Sequence, residues 1–369
     1  ADITMGQSPK SVYYNTVGEG MPFLQGNRTF GRRYPVFDTY TSMVTKIAKA
    51  GDVIMSVRAP VGDLNYTPVD MCLGRGVCSI RMKNGNQDYL YYLMKHNVPH
   101  LINKENGTVF GSVNRNDISE LEVEIVDDEK QKVIARMLSM IDDKIDENEK
   151  INNNLEQQAQ AIFTNEFLSL ETLPDGWKQA SLIDIADYLN GLAMQKYRPS
   201  TDETGIPVLK IKELRQGCCD DNSELCSPNI KSDYIIHDGD VIFSWSGSLL
   251  VDFWCGGVCG LNQHLFKVTS AKYDKWFYYA WTRHHLDRFI AVAADKATTM
   301  GHIKRDELAK AEVLIPNEKD YNRIGALLQP IFDLIISNRI ENKKLAETRD
   351  TLLPKLISGE VDISEGDYE

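Results

Sequence analysis

The chain has 369 residues, 42% of them apolar and 25% charged, which is room for two ordinary domains with connecting helices and excludes wholesale disorder. No apolar run reaches the roughly eighteen residues that a membrane helix needs, and no charged-then-apolar leader follows Ala1; neither a spanning segment nor a signal peptide is expected. Seven unevenly spaced cysteines make no disulfide framework, which points to a reducing cytoplasm, and the net charge of −12 argues against strong non-specific DNA binding by the chain alone.

Residues 1–126 read as a first globular segment, with 13 basic against 12 acidic side chains. Short strand-like runs broken by Gly, Pro and Asn, such as Gly51 to Val57, precede an aromatic-rich helical stretch from Asp88 to Lys95. Residues 127–170 follow with an acidic, glycine-free helical pattern starting at about residue 128, holding 5 basic against 10 acidic groups. The same grammar recurs. Residues 171–316 form a second globular segment, with a strand-like run from Asp240 to Trp245 and an aromatic helical stretch from Asp274 to Arg283. Residues 317–360 carry a second long helical pattern, again read as glycine-free, and an acidic tail occupies 361–369. The acidity thus gathers in the helices and the tail, leaving the globular segments near neutral and able to carry local basic faces.

The recurrence is a duplication. Gly51-Asp52-Val53-Ile54-Met55-Ser56 matches Gly239-Asp240-Val241-Ile242-Phe243-Ser244 at an offset of 188, where Leu73 also falls on Leu261. Farther on the offset is 190: Val113-Asn114-Arg115 meets Ile303-Lys304-Arg305, and Val123 and Ile125 meet Val313 and Ile315. The second half opens with a lead-in, Leu173 to Ala186, that has almost no counterpart before Gly6, so roughly a dozen residues preceding Ala1 are expected in the intact protein.

In the first helix, Ile134, Leu138, Ile141, Ile145, Asn148, Asn152, Leu155, Ala159 and Ile162 alternate steps of four and three. Ile324, Leu328, Ile331, Ile335, Asn338, Asn342, Leu345, Arg349, Leu352 and Leu356 do the same in the second. Each series is a heptad seam. Two amphipathic helices packed on their own globular segments would show such patterns, but Asn148, Asn152, Asn338 and Asn342 favour pairing. A seam asparagine costs stability and fixes register, and an antiparallel pairing brings these mid-length amides face to face. The fold class expected is therefore α+β: two duplicated α+β domains separated by two long helices forming an antiparallel coiled coil. Taking roughly 38 helical residues at about 1.5 Å each, the pair would make a ruler on the order of 57 Å, against about 34–36 Å for one turn of DNA.

Catalytic motifs are absent: no glycine-rich AdoMet loop, no Asn/Asp-Pro-Pro-aromatic motif, no phosphate loop, and no partner for Pro174-Asp175 in a nuclease-like metal site. Cys218, Cys219, Cys226, Cys255 and Cys259 with His237 and His264 fit no common zinc spacing and read as small packed side chains, with no metal expected. Groove reading needs Arg, Lys, Asn, Gln, Ser or Thr on loops. The DNA-binding candidates in the first segment are Arg28, Arg32, Arg33, Arg58, Arg75, Asn114 and Arg115. In the second they are Lys196, Arg198, Lys210, Lys212, Arg215, Gln263, His264, His302, Lys304 and Arg305. Trp245 and Trp254 read as core residues rather than base-stacking platforms.

Several local features, in order along essentially the whole chain, resemble the specificity (S) subunit of type I restriction–modification systems. They are Gly6-Gln7-Ser8-Pro9, the Gly-Asp-Val-Ile strand in both halves, Trp177 with Leu182 to Ala186, Leu261-Asn262-Gln263-His264, and the ending Arg349 to Glu360. The resemblance implies that 1–126 and 171–316 are target-recognition domains, each reading one half of a bipartite double-stranded DNA site. The helices at 127–170 and 317–360 would be the central and C-terminal conserved regions, acting as spacer and docking surface. It further implies two modification subunits and restriction subunits as partners. No cofactor would belong to this chain; AdoMet, ATP and Mg would sit in those partners. Two other readings stay open at this stage: a strut carrying protein-binding modules, and a catalytic subunit with unfamiliar motifs.

Overall fold

A computed structural model describes residues 1–103, 111–295 and 305–361. The chain divides into two compact units, Ala1–Asp143 with Ala346–Glu369, and Lys144–Leu345. Both divisions fall inside long helices, so each unit takes part of Asp128–Phe163 and part of Glu318–Ile357.

Unit 1 is built on a four-stranded antiparallel sheet in the order β1 (Asp2–Met5), β6 (Val77–Arg81), β3 (Val53–Ser56), β4 (Leu64–Tyr66). Beside it, β2 (Met21–Leu24) runs parallel to β5 (Met71–Leu73), with Leu24 opposite Leu73. Helix Gln87–Asn103 packs Tyr89, Tyr92 and Leu93 into a core shared with Ile134 and Leu138 of one long helix and Leu353 and Leu356 of the other.

Unit 2 repeats the plan. Its antiparallel sheet has the order β8 (Asp187–Asn190), β13 (Leu265–Thr269), β10 (Val241–Ser244), β11 (Leu250–Phe253). Val53 faces Ile80 in unit 1 and Val241 faces Val268 in unit 2, so the 188-residue offset is a register match as well as a sequence match. Its parallel pair is β9 (Ile206–Leu209) with β12 (Cys259–Leu261), Leu209 opposite Leu261. The core joins Ala159 and Phe163, Trp276, Phe277 and Trp281, and Ile324 and Leu328.

Two expectations need correction. The second helix is not glycine-free: Gly325 lies within it, where a Cβ would stand 3.0 Å from the Trp276 indole nitrogen and the ring would have to give way by a few tenths of an ångström. Pro330 and Pro354 also lie inside this helix, which tertiary packing maintains despite two lost backbone donors. Finally, Val313 and Ile315 belong to β14 (Glu312–Ile315), paired with β7 (Lys178–Ser181), whereas Val123 and Ile125 are in no strand and are exposed. A single strand needs a ladder partner, and among the described residues that stretch of unit 1 has none.

Among the described residues no helix is long and apolar enough to cross a membrane.

Candidate nucleic-acid interface

In each unit the strand ends converge on one three-residue connection. In unit 1 the link from β5 to β6 is Gly74-Arg75-Gly76, closed by the Val77 amide donating to the Gly74 carbonyl at 3.1 Å. The Gly74 amide donates to Leu24 O at 2.7 Å, Gly6 to Val77 O at 3.0 Å, Gln7 to Leu73 O at 2.9 Å, and Val57 to Gly76 O at 2.9 Å. In unit 2 the link is Asn262-Gln263-His264, closed by Leu265 N to Asn262 O at 3.0 Å. It is clamped by the matching bonds: Asn262 N to Leu209 O, Gly191 N to Leu265 O, Leu192 N to Leu261 O, and Trp245 N to His264 O. Gly6 and Gly191 are needed for the approach. A Cβ on Gly6 would lie 2.0 Å from Gly74 O, and one on Gly191 would lie 2.2 Å from Asn262 O.

The surfaces around the two connections differ in chemistry. In unit 1 a cavity of about 230 Å³ is lined by Gln25, Gly26, Asn27, Arg58, Ala59, Arg75 and Gly76. Arg58 and Arg75 are exposed, with no carboxylate partner among the described residues, and no acid lines the cavity. Asn27 donates to Asp63 at its edge. In unit 2, Ser246 Oγ lies 3.1 Å from His264 Nδ1, and Gln263 Nε2 lies 3.3 Å from His264 Nε2. The half-buried Trp245 packs on Phe266 and holds Asn190 through its indole at 3.0 Å. Trp254 is fully buried. This surface is built from amides and aromatic rings instead of guanidiniums.

Several candidates are instead committed to the protein itself. Arg32 donates to Asp142 Oδ1 at 3.1 Å and to the Asp142 carbonyl at 2.6 Å. Arg33 is 8% exposed, lies over Tyr66 and pairs with Asp143. Of the three neighbouring candidates Arg28, Arg32 and Arg33, acidic side chains of the long helix draw the last two inward, and Arg28 stays exposed beside Asp38. Asn114 is an N-cap, accepting from the amides of Asn116 and Asp117, with Arg115 exposed just after it. In unit 2, Arg198 and Lys210 both pair with Glu224, and Lys212 pairs with Asp220 at 3.0 Å. Lys196 and Arg215 are exposed. Arg305 reaches the Tyr188 carbonyl at 3.4 Å, while His302 and Lys304 lie outside the described residues.

The seam asparagines meet as an antiparallel pair, all within unit 2. Asn148 Nδ2 donates to Asn342 Oδ1 at 2.8 Å and to Glu341 at 2.6 Å, and Asn338 Nδ2 donates to Asn152 Oδ1 at 2.9 Å. The remaining amide hydrogens of Asn152 and Asn342 point to the carbonyls of Ile335 and Ile145. In unit 1 the seam position Arg349 is 8% exposed and donates to the buried Asp142, which also accepts from Tyr92 at 2.7 Å. Burial alone would raise the Asp142 pKa; the Tyr92 hydroxyl and the Arg349 and Arg32 guanidiniums outweigh it and hold the carboxyl below its ordinary value. Sequence reasoning found Arg349 by its heptad position but not its partner, because Asp142 falls between seam positions.

Of the cysteines, Cys226, Cys255 and Cys259 are buried and Cys218 and Cys219 half-buried. Among the described residues no three His, Cys, Asp or Glu side chains are grouped to hold a metal.

Residues 6–157 and 174–347 match the family described as type I restriction modification DNA specificity domain. The chain is similar to the specificity subunit of type I restriction enzyme MjaIX of Methanocaldococcus jannaschii, 27% identical over 348 residues, covering 87% of this chain and 80% of that one. The HindI specificity subunit of Haemophilus influenzae is 22% identical over 86% of this chain and 88% of its own. In fold, the chain is similar to the crystal structure of a type I restriction–modification S subunit from M. genitalium, with a TM-score of 0.58 at 14% identity, covering 98% of this chain and 94% of that one.

Proposed function

The chain belongs to the family of type I restriction–modification specificity subunits, the DNA-recognising, non-catalytic members of those systems, and on that premise we propose that it reads a bipartite double-stranded target, one half-site per unit, and docks the modification and restriction subunits. The observation that carries this reading is the repetition of one clamped connection, once in each unit, beside polar side chains suited to a groove. Two modification subunits engage the long helices and adjacent unit faces. They hold AdoMet, while restriction subunits supply ATP and Mg chemistry. The acidity of the chain, −12 overall, fits this division: much of the phosphate contact comes from the partners.

The test is a methylome. The chain is co-expressed with its cognate modification subunit, and methylated positions are mapped by long-read sequencing. Two short half-sites with a fixed unspecified gap are expected. Random or absent methylation by a pair that demonstrably associates would overturn the reading in favour of a scaffold with protein ligands.

A further inference from the structure

The two units hold the same connection in the same bonds, yet its tip residue differs. Arg75 follows Gly74 in unit 1 and Gln263 follows Asn262 in unit 2, each in the second position of a turn closed by a carbonyl-to-amide bond between the flanking residues. Matched backbone clamps fix where each Cα stands relative to its own sheet. The tip side chain is therefore a difference between the two surfaces that stands on a common backbone frame.

We propose that this position determines one base in each half-site: Arg75 recognises a guanine and Gln263 an adenine. The assignment rests on the DNA-reading function above. An exposed guanidinium without a carboxylate partner among the described residues, in a cavity that no acid lines, presents two parallel N–H donors. The O6 and N7 acceptors of guanine in the major groove match that fork. Arg58, on the same cavity, supplies a second positive charge for the adjoining phosphate or base.

At Gln263 the chemistry is different. Its amide nitrogen can only donate, so His264 Nε2 accepts from it, and His264 Nδ1 then carries the proton and donates to Ser246 Oγ. Ser246 is buried, which anchors the ring, and the ring in turn orients the amide. One amide N–H and the carbonyl remain available, a donor and an acceptor side by side, as the N7 and N6 edge of adenine requires. His264 is on this account a positioning residue.

The experiment is the same methylome, run on intact complexes carrying R75Q, R75K or Q263R. R75Q is expected to relax one G·C position in one half-site, with discrimination falling roughly ten- to hundred-fold, while the other half-site stays unchanged. Q263R should alter one A·T position in the opposite half-site only. R75K separates charge from geometry: Lys keeps the positive charge but lacks the bidentate fork, so guanine preference should weaken while methylation persists. An unchanged motif in all three variants would overturn the assignment. So would loss of methylation that is uniform across sites and restored in full by R75K, because that behaviour marks a phosphate clamp. A wild-type complex that yields no bipartite motif would instead refute the underlying DNA-reading function.

Discussion

At Asp142 one buried carboxylate accepts from Arg349, Arg32 and Tyr92, so a side chain between two heptad positions joins the long helices to a loop of unit 1. Removing its charge takes away the buried counter-charge of Arg349 and leaves the exposed Asp350, which pairs with it at 2.8 and 3.0 Å. Asp142→Asn should destabilise unit 1 by on the order of 3 kcal/mol in denaturant titration, whereas exchanging Asp142 and Arg349 together for leucines should recover most of that loss. Equal damage from the single and double variants would contradict the assignment. The sign with pH follows from the lowered carboxyl: its contribution is present above the ordinary value of 3.8 and is lost as pH falls through the still lower folded value. His285 acts in a higher window. Burial pushes its pKa from 6.5 to about 4, and the neutral ring donates through Nε2 to the Glu312 carbonyl at 2.7 Å. Between pH 6.5 and about 4 the unfolded chain takes up a proton that the folded one refuses, so unit 2 should lose stability across that range. In His285→Gln the slope of unfolding free energy against pH should flatten there; an unaltered slope would count against this view.

The helix seams show how far pattern reading carries. All nineteen predicted seam positions are buried or half-buried, and the asparagines meet across the pair, because side-chain periodicity is a local property of the helix. The helices begin at Asp128 and Glu318, close to where the acidic pattern begins. The interface was less legible. That Arg33 is buried, that Asn114 is a cap, and that Arg198 and Lys210 share Glu224 are facts about partners distant in sequence or set by loop geometry. Composition marks such residues as basic or polar and cannot say what they face. Gly325 stands in the sequence itself and contradicts a glycine-free reading directly; only its packing against Trp276 comes from the structure. At this scale the seam asparagines make a definite prediction. Replacing Asn148, Asn152, Asn338 and Asn342 with leucine should raise the denaturation midpoint while admitting alternative registers, seen as mixed species in light scattering. A single species of unchanged midpoint would show that the amides do not set register.

At the scale of the molecule, duplication was the most legible feature, because a repeat offset of 188 residues is visible without any structure and reappears in the strand register. The compact units were not legible in the same way: each takes in part of both helices, and that division comes from packing across segments some 200 residues apart. The proposed ruler belongs here. Deleting Lys144–Lys150 together with Ile340–Ala346 removes one heptad from each helix, preserves the seam phase and leaves Asn152 opposite Asn338. Seven residues correspond to about 10 Å of helix, or about three base pairs of DNA. The decisive measurement is the methylome of that variant with its modification subunit. The expected result is the same two half-site sequences separated by a gap about three base pairs shorter; half-sites still separated by the original gap would contradict the claim that the helices set the spacing of a two-part DNA target.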